Sequence, residues 1–374
     1  MTRRLLIHCL VVVLLGACVV RGAESAVPAT VVAAQAEAAK KYPQLTQTGS
    51  ELNKAYVARF NQLRAQNTDY FKDPAWPLKL ADEVAVSGTK SSGQTNTAPL
   101  NPVAAKQPVT YAAGVELAHL ANKRIKESSG IACSRTNPGI FWTHNDSGAP
   151  PEFFAFNEKG EDLGSFIALG ASSTDWEDVA VFTLDKRNFL IFGDTGDNAV
   201  ARKNCTLYIL AEPKVAAHAQ GQSTVPLAAS IQFTYEDGPH NCETLMTDTA
   251  RKEVILISKT TTPECKAYVI PLKVNGHTSN AKARPIATLH IPTTTGGDIS
   301  PDNLRAIITT YGDAYEYTRT PAEDWAAAFA REPRIIPLPK RKKGEAICYG
   351  PDGKTLYLTS ETYPCPLLKV PPAN

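Results

Sequence analysis

A single unit recurs along residues 129–361: a short apolar strand, a polar turn, and a second strand that ends in polar residues. The copies read "SGIACSRTNPGIFWTHND", "EDVAVFTLDKRNFLIFGD", "ETLMTDTARKEVILISK", "GDISPDNLRAIITTY" and "EAICYGPDGKTLYLTSE". Matching apolar residues Ile131, Val179, Leu245, Ile299 and Ile347 are 48, 66, 54 and 48 residues apart. Periods of roughly 40–50 residues with four strands each are those of propeller blades. A third strand follows every pair ("EFFAFN", "CTLYILAEP", "KAYVIPLKV", "AYEYTRT", "PLLKV"), and a fourth follows in four cases ("EDLGSFIAL", "AASIQFTYED", "ARPIATLHI", "PRIIPLP"). The last unit lacks a fourth strand of its own. "VELAHLANKRI" at 115–125 can supply it, joining both ends of the ring in one blade and hiding sheet edges. The expected fold is all-β, a five-bladed propeller over 115–374, with a helix ("PAEDWAAAFARE") inserted in the fourth blade. A six-bladed ring would need a diverged copy.

The rest of the chain has a different character. Residues 1–23 carry Arg3 and Arg4, then the apolar run "LLIHCLVVVLLGACVV", then "RGAESA", the pattern of an export signal. The run is shorter than the ~20 residues a membrane-spanning helix needs. "LGAC" resembles a lipobox, which would leave Cys18 as a lipid anchor; the alternative is cleavage a few residues later. Residues 24–86 read as helices, with Leu52, Tyr56, Phe60 and Leu63 at helical spacing, Ser50 as a plausible start, and Trp76 and Leu78 as packing residues. Residues 87–114 are Gly/Ser/Thr/Pro-rich and read as a linker. The expected location is periplasmic, lipid-anchored or extracellular.

Six cysteines lie outside the signal region: 133, 205, 242, 265, 348 and 365. Export with an even count allows disulfides, and Cys242 with Cys265 or Cys205 is a plausible pair. No CxxC is present, so a thiolate zinc site is not expected. A net charge of +2 gives no electrostatic case for nucleic acid.

Propeller topology divides the polar residues between two faces. Each inner strand starts on one face, and its antiparallel partner ends on that same face. One rim therefore collects Ser129, Asp175, Glu177, Asp178, His240, Glu243, Asp298 and Glu345 with His144, Asn145, Asp146, Asp194, Asp197, Asn198, Lys259, Tyr311 and Glu361. The opposite face receives ordinary turns such as "TLDKRN" and "YGPDGK". Ser129, Glu177, Glu243 and Glu345 share one repeat position, with Gly297 in the fourth blade and Asp298 one residue on. Carboxylates converging on an axis cannot all stay charged without a counter-charge. Calcium, with oxygen ligands, is the expected solution, and the metal set is Ser129, Glu177, Glu243, Asp298 and Glu345. The alternative is pairing with Lys and Arg, or capping of neighbouring backbone.

The pattern at Ser129, Glu177, Glu243 and Glu345 resembles five-bladed propellers with an axial calcium ion, of the calcium-activated nucleotidase type. That resemblance implies the architecture and the ion; nucleotide hydrolysis carries over only weakly, because the detailed motifs differ. "WTHNDSG", "DWEDVAVF" and "FGDTGDN" look more like a group of uncharacterised exported bacterial propellers, which implies a shared rim and no named activity.

Around this column, His144, Asp146 and Asp194 are candidate catalytic residues, His144 as general base. A structural role is the alternative for His144. Asp194, Asp197 and Asn198 can chelate a cation or simply form a tight turn. Asn145, Asp197, Asn198, Arg202, Lys259, Tyr311 and Glu361 are candidate ligand-binding residues, taking a small-molecule, glycan or protein ligand. "GPDGKT" lacks the phosphate-loop spacing, and no nucleophile elbow, zincin or dinucleotide motif occurs. Two functions fit: a calcium-binding ligand-binding or scaffold module of the cell envelope, or a metal-dependent hydrolase of phosphoesters or glycans.

Overall fold

The inner strands of the repeat are buried along nearly their whole length because both of their faces are covered. In a computed structural model of the chain, β6 (Trp176–Leu184), β10 (Cys242–Asp248) and β18 (Gly344–Tyr349) are buried almost end to end. The structure describes residues 29–46, 50, parts of 52–63, 69–89, 109–215, 221–262 and 264–373. The expected export signal, Cys18 and most of the linker lie outside them. The chain divides into two compact units, Met1–Pro102 and Val103–Asn374.

The first unit is helical. Helix α1 spans Ala29–Lys41, α2 spans Trp76–Thr89, and the described residues of 52–63 are helical between them. Ser50 Oγ accepts the Asn53 N–H at 3.1 Å, as an N-cap does. Tyr56, Leu63, Trp76 and Leu80 are buried in a small core.

In the second unit the strands form five four-stranded units. Blade 1 is β2 (Ser128–Cys133), β3 (Ile140–Asn145), β4 (Glu152–Asn157) and β5 (Asp162–Leu169). Blade 2 is β6, β7 (Arg187–Asp194), β8 (Cys205–Ala211) and β9 (Gln222–Tyr235), and blade 3 is β10, β11 (Glu253–Ser258), β12 (Cys265–Pro271) and β13 (Thr278–Leu289). Blade 4 is β14 (Thr294–Ile299), β15 (Arg305–Thr310), β16 (Ala314–Thr318) and β17 (Arg334–Ile336). Blade 5 is β18, β19 (Leu356–Ser360), β20 (Pro366–Val370) and β1 (Val115–His119). Inner strands neighbour one another in the cyclic order β2, β6, β10, β14, β18, β2, which makes the unit a β-propeller.

Closure occurs where the repeat demands it. β1 pairs antiparallel with β20, from Val115 opposite Lys369 to His119 opposite Pro366. Pairing continues outward: Ala112 N–H donates to Pro371 O at 2.9 Å, and Ala373 N–H to Thr110 O at 2.8 Å. A second device laces three blades together at the outside. β9 is long enough to pair in parallel with β5 through 222–226 and with β13 through 230–235. Helix α3 (Trp325–Phe329), capped by Asp324, lies in blade 4, where the Trp325 indole N–H donates to Asp248 at 3.0 Å.

All five inner hairpins carry a β-bulge at one equivalent place, and it settles the register. The pairing skips Ser129, Glu177, Glu243, Thr295 and Glu345. The fifth member of the acidic column is therefore Thr295, and the expected Gly297/Asp298 position is two residues off. Blade 4 has Gly297 where the other blades have Ile131, Val179, Leu245 and Ile347, so its apolar landmark is displaced. A slip of two leaves side-chain alternation unchanged and is invisible to a polar/apolar pattern.

Neighbouring blades are joined by side chains. Ser129 Oγ donates to Glu177 O at 2.7 Å, Thr195 Oγ1 to Cys242 O at 2.8 Å and Thr294 Oγ1 to Ser258 O at 3.1 Å. Thr295 Oγ1 donates to Gly344 O at 2.9 Å, and Ser128 Oγ to Thr359 Oγ1 at 2.7 Å, completing the ring. Buried Asp178 reaches further, accepting N–H groups from Val179 and Leu245 at 2.9 Å each and from Gly297 at 3.2 Å.

The cysteines correct an expectation: all six are free. Cys242 Sγ donates to Thr244 O at 3.5 Å, Cys265 to Leu289 O at 3.7 Å and Cys365 to Ser360 O at 3.2 Å. They behave as small buried hydrophobes with a weak donor, and burial pushes the Cys242 and Cys265 thiols up to about 12.

Asp178→Ala should lower stability by about 2–6 kcal/mol, since it strands buried N–H groups of two other blades at ~1–3 kcal/mol each. Urea unfolding of the variant checks this, and a loss under ~1 kcal/mol contradicts the bridging role.

Candidate metal centre

The bulge turns each column residue out of the ladder, and its side-chain length decides what it does. Short hydroxyls at Ser129 and Thr295 bond to the next inner strand. Longer carboxylates at Glu177, Glu243 and Glu345 occupy the same position in the other blades, each with only 4–5% exposure. The residue after each second strand forms an adjoining column: Asp146, Thr195, Lys259, Tyr311 and Glu361. Four of these place their N–H on equivalent carbonyls, those of Glu127, Asp175, Asn241 and Lys343.

Where blades 1 and 2 meet, these columns bring three carboxylates together. Asp146, Asp175 and Glu177 each offer an oxygen, and the three oxygens lie within 4.8 Å of one another. Gly196 makes this possible. Thr195 and Gly196 both donate their N–H to Asp175 O at 3.1 Å, which folds the 195–197 turn tightly against the cluster. A Cβ at Gly196 would occupy the space of the Glu177 and Asp175 carboxylate oxygens. The glycine is there for close approach.

The electrostatics are unbalanced. Among the described residues none of these three acids forms a salt bridge, whereas Glu243 pairs with Lys259 at 3.1 Å and Asp194 with Arg202 at 2.8 Å. Asp146 Oδ1 and Glu345 Oε2 are buried without a hydrogen-bond partner. Burial, then Asp146 and Glu243, push the Asp175 carboxyl up to about 6. Burial, then Glu243, Asp146 and Asp175, hold Glu177 well above the ordinary carboxylate range. Burial lifts Glu345 to about 7 against the opposing pull of Lys259, and Glu361 to about 8 with help from Glu345 and Asp146. An all-oxygen donor set suits calcium, magnesium or manganese. Two ligands of one calcium ion lie at most ~5.2 Å apart, so this spacing falls within a single calcium shell.

The other candidate residues occupy different places. His144, expected as a rim base, is fully buried against Trp176 and Phe192, with ring centroids at 5.7 Å from each. Its Nδ1 donates to Asn145 O at 2.9 Å, and burial lowers the imidazole to about 4. It is a neutral core residue, packed over Gly130, where a Cβ would come within 2.7 Å of Nε2. Asp194 is a brace: besides its pairing with Arg202 it accepts the Asp175 N–H at 3.1 Å and the Thr174 N–H at 3.3 Å. Asp197 closes a turn by accepting Ala201 and Arg202 N–H groups at 2.9 and 2.8 Å. Asn198 accepts from Asn241, and Asn145 caps the 124–127 loop.

Lys259 and Tyr311 meet at 2.9 Å, with Tyr311 45% exposed, and Glu361 lies 3.8 Å from Lys343. Asp298 is not on this rim. It accepts the Ile299 and Tyr349 N–H groups and faces a cavity at the far ends of the inner strands. Asp175 stands outside the expected metal set yet joins the acidic cluster, and its sequence signal is the paired glycines of "GDTGDN".

No family model and no curated protein matches the sequence. Among solved structures, a gluconolactonase from Xanthomonas campestris matches with 11% identity over 70% of this chain and 89% of that one, at a TM-score of 0.41. A chain of a nidogen/laminin complex matches with 13% identity over 63% of this chain and 73% of that one, at a TM-score of 0.37. Both are six-bladed β-propellers, whereas the described strands of this chain make five four-stranded blades.

Raised carboxyls stabilise the fold below their unfolded values, and the contribution is lost as pH rises through the folded values. In chelator, the protein should therefore lose stability from about pH 4 to about pH 8, the window of Asp175, Glu345 and Glu361. Melting temperatures across that range check this. A curve that rises or stays flat over the window contradicts it, and Glu345→Gln with Glu361→Gln should flatten the slope.

Proposed function

We propose that the chain is an exported five-bladed propeller that holds one calcium ion at Asp146, Asp175 and Glu177. The metal-loaded rim would serve as a ligand-binding or scaffold surface of the cell envelope. The observation that carries this reading is the three-carboxylate cluster, within reach of one ion and, among the described residues, without a salt bridge. Calcium neutralises the cluster and leaves positions in its shell for the oxygens of a glycan, a small molecule or a protein side chain. Lys259 and the half-exposed Tyr311 ring lie on the same rim and suit an oxygen-rich ligand. Attachment to a membrane would come only through Cys18.

A second reading, a metal-dependent hydrolase, rests on Glu345. A carboxyl near 7 with a free buried oxygen, on the rim that carries the cluster, has the properties of a general acid. Screening phosphoesters and glycosides with and without chelator, with Glu345→Gln as control, tests it. Metal-dependent turnover abolished by the variant supports it, and no turnover in either class removes it.

The primary reading predicts one calcium per chain by elemental analysis and a melting temperature that falls in chelator and returns with calcium. Asp146→Asn should weaken calcium binding at least about ten-fold, and Gly196→Ala should do the same by displacing two ligands. Unchanged binding in both variants would overturn the assignment.

A further inference from the structure

The far end of the propeller axis carries a second candidate site, built from different residues. At the C-terminal ends of β2, β6, β14 and β18 lies a cavity of about 430 Å³, within the ~300–1,000 Å³ range of small-molecule pockets. Its walls include Val181, Ile299 and Pro301, and just two charged side chains, Arg135 and Asp298, face it.

Both charges are short of partners. A guanidinium has five N–H donors, yet Arg135 makes one side-chain hydrogen bond, from Nη1 to Thr183 Oγ1 at 3.2 Å. The nearby acid, Glu212, is already used. It accepts from Ser134, Trp142, Thr136 and the Arg135 backbone N–H, and so is held as a structural anchor. Asp298 accepts two backbone N–H groups, from Ile299 at 2.8 Å and Tyr349 at 3.0 Å. A carboxylate retains further acceptor capacity after two bonds. Arg135 and Asp298 form no salt bridge with each other or with any other described residue. Burial pushes Asp298 up to about 7 against the opposing pull of its two backbone N–H partners and of Arg135.

A simple anion would meet Asp298 in this cavity, and a simple cation would meet Arg135. One molecule bearing both charges satisfies both walls and leaves the apolar lining for its remainder. We propose that this mouth binds a small zwitterion, an α-amino acid with an apolar side chain, its carboxylate on Arg135 and its ammonium on Asp298. The site is independent of the calcium reading, since its residues lie at the opposite end of the inner strands.

Calorimetric titration of the full chain in chelator, with leucine and phenylalanine as probes, tests the proposal apart from any metal. Saturable binding is expected, weakened at least about ten-fold when the probe is N-acetylated or converted to its amide, each of which removes one charge. Arg135→Gln should weaken leucine binding about ten- to hundred-fold while the circular dichroism stays unchanged. Asp298→Asn should do likewise; if it fails to fold, Arg135→Gln decides alone. No binding of either amino acid at millimolar concentration, equal binding of the N-acetyl compound, or an unchanged affinity in Arg135→Gln would each overturn it.

Discussion

Five inner strands splay around an axis without a shared backbone ladder, so each must be joined to the next by other means. Side chains do this. Ser129, Thr195, Thr294, Thr295 and the Ser128–Thr359 pair connect every neighbouring couple of blades in turn. Asp178 ties blade 2 to blades 3 and 4 through backbone N–H groups that would otherwise be buried and unpaired. These bonds fix where each blade stands, and the positions of both mouths follow from them.

The same constraint explains why a site can exist at the rim. A bulge in every inner hairpin supplies one residue free of the ladder. Serine or threonine there bonds to the backbone of the next blade, while glutamate there leaves a buried carboxylate at the rim. Blades 1 and 4 provide the former, and blades 2, 3 and 5 the latter. Blade 2 also obtains its hydroxyl bridge from Thr195, one residue before Gly196, so the turn that braces the ring also presses Asp175 and Glu177 together. Glu243 is neutralised by Lys259 from its own blade. Among the described residues Glu177 has no such partner, and the carboxylate imbalance concentrates at the junction with Asp146.

Much of this was legible in the residues. Alternating short strands, the missing fourth strand and "VELAHLANKRI" sufficed for the ring and its closure, because burial on both faces leaves a strong apolar signature. The shared rim followed from strand direction alone. Three features were not legible. The slip in blade 4 preserves side-chain parity, so Thr295 could not be told from Gly297. His144 sits at a strand end in sequence, yet the bulge at Ser129 and the absence of a Cβ on Gly130 let the imidazole turn into the core. Free thiols and disulfides give the same spacing, and only the local carbonyl acceptors distinguish them. Asp298 lies at the opposite end of the inner strands from the rim its sequence position suggests, because the two-residue slip in blade 4 carries it past the bulge into the second mouth.

Whether one hard cation sits among Asp146, Asp175 and Glu177 is tested most directly by anomalous diffraction from crystals grown with a calcium-mimicking lanthanide. The account predicts one strong peak bonded to oxygens of all three side chains. A peak elsewhere on the rim, or none with the three carboxylates well ordered, would contradict it.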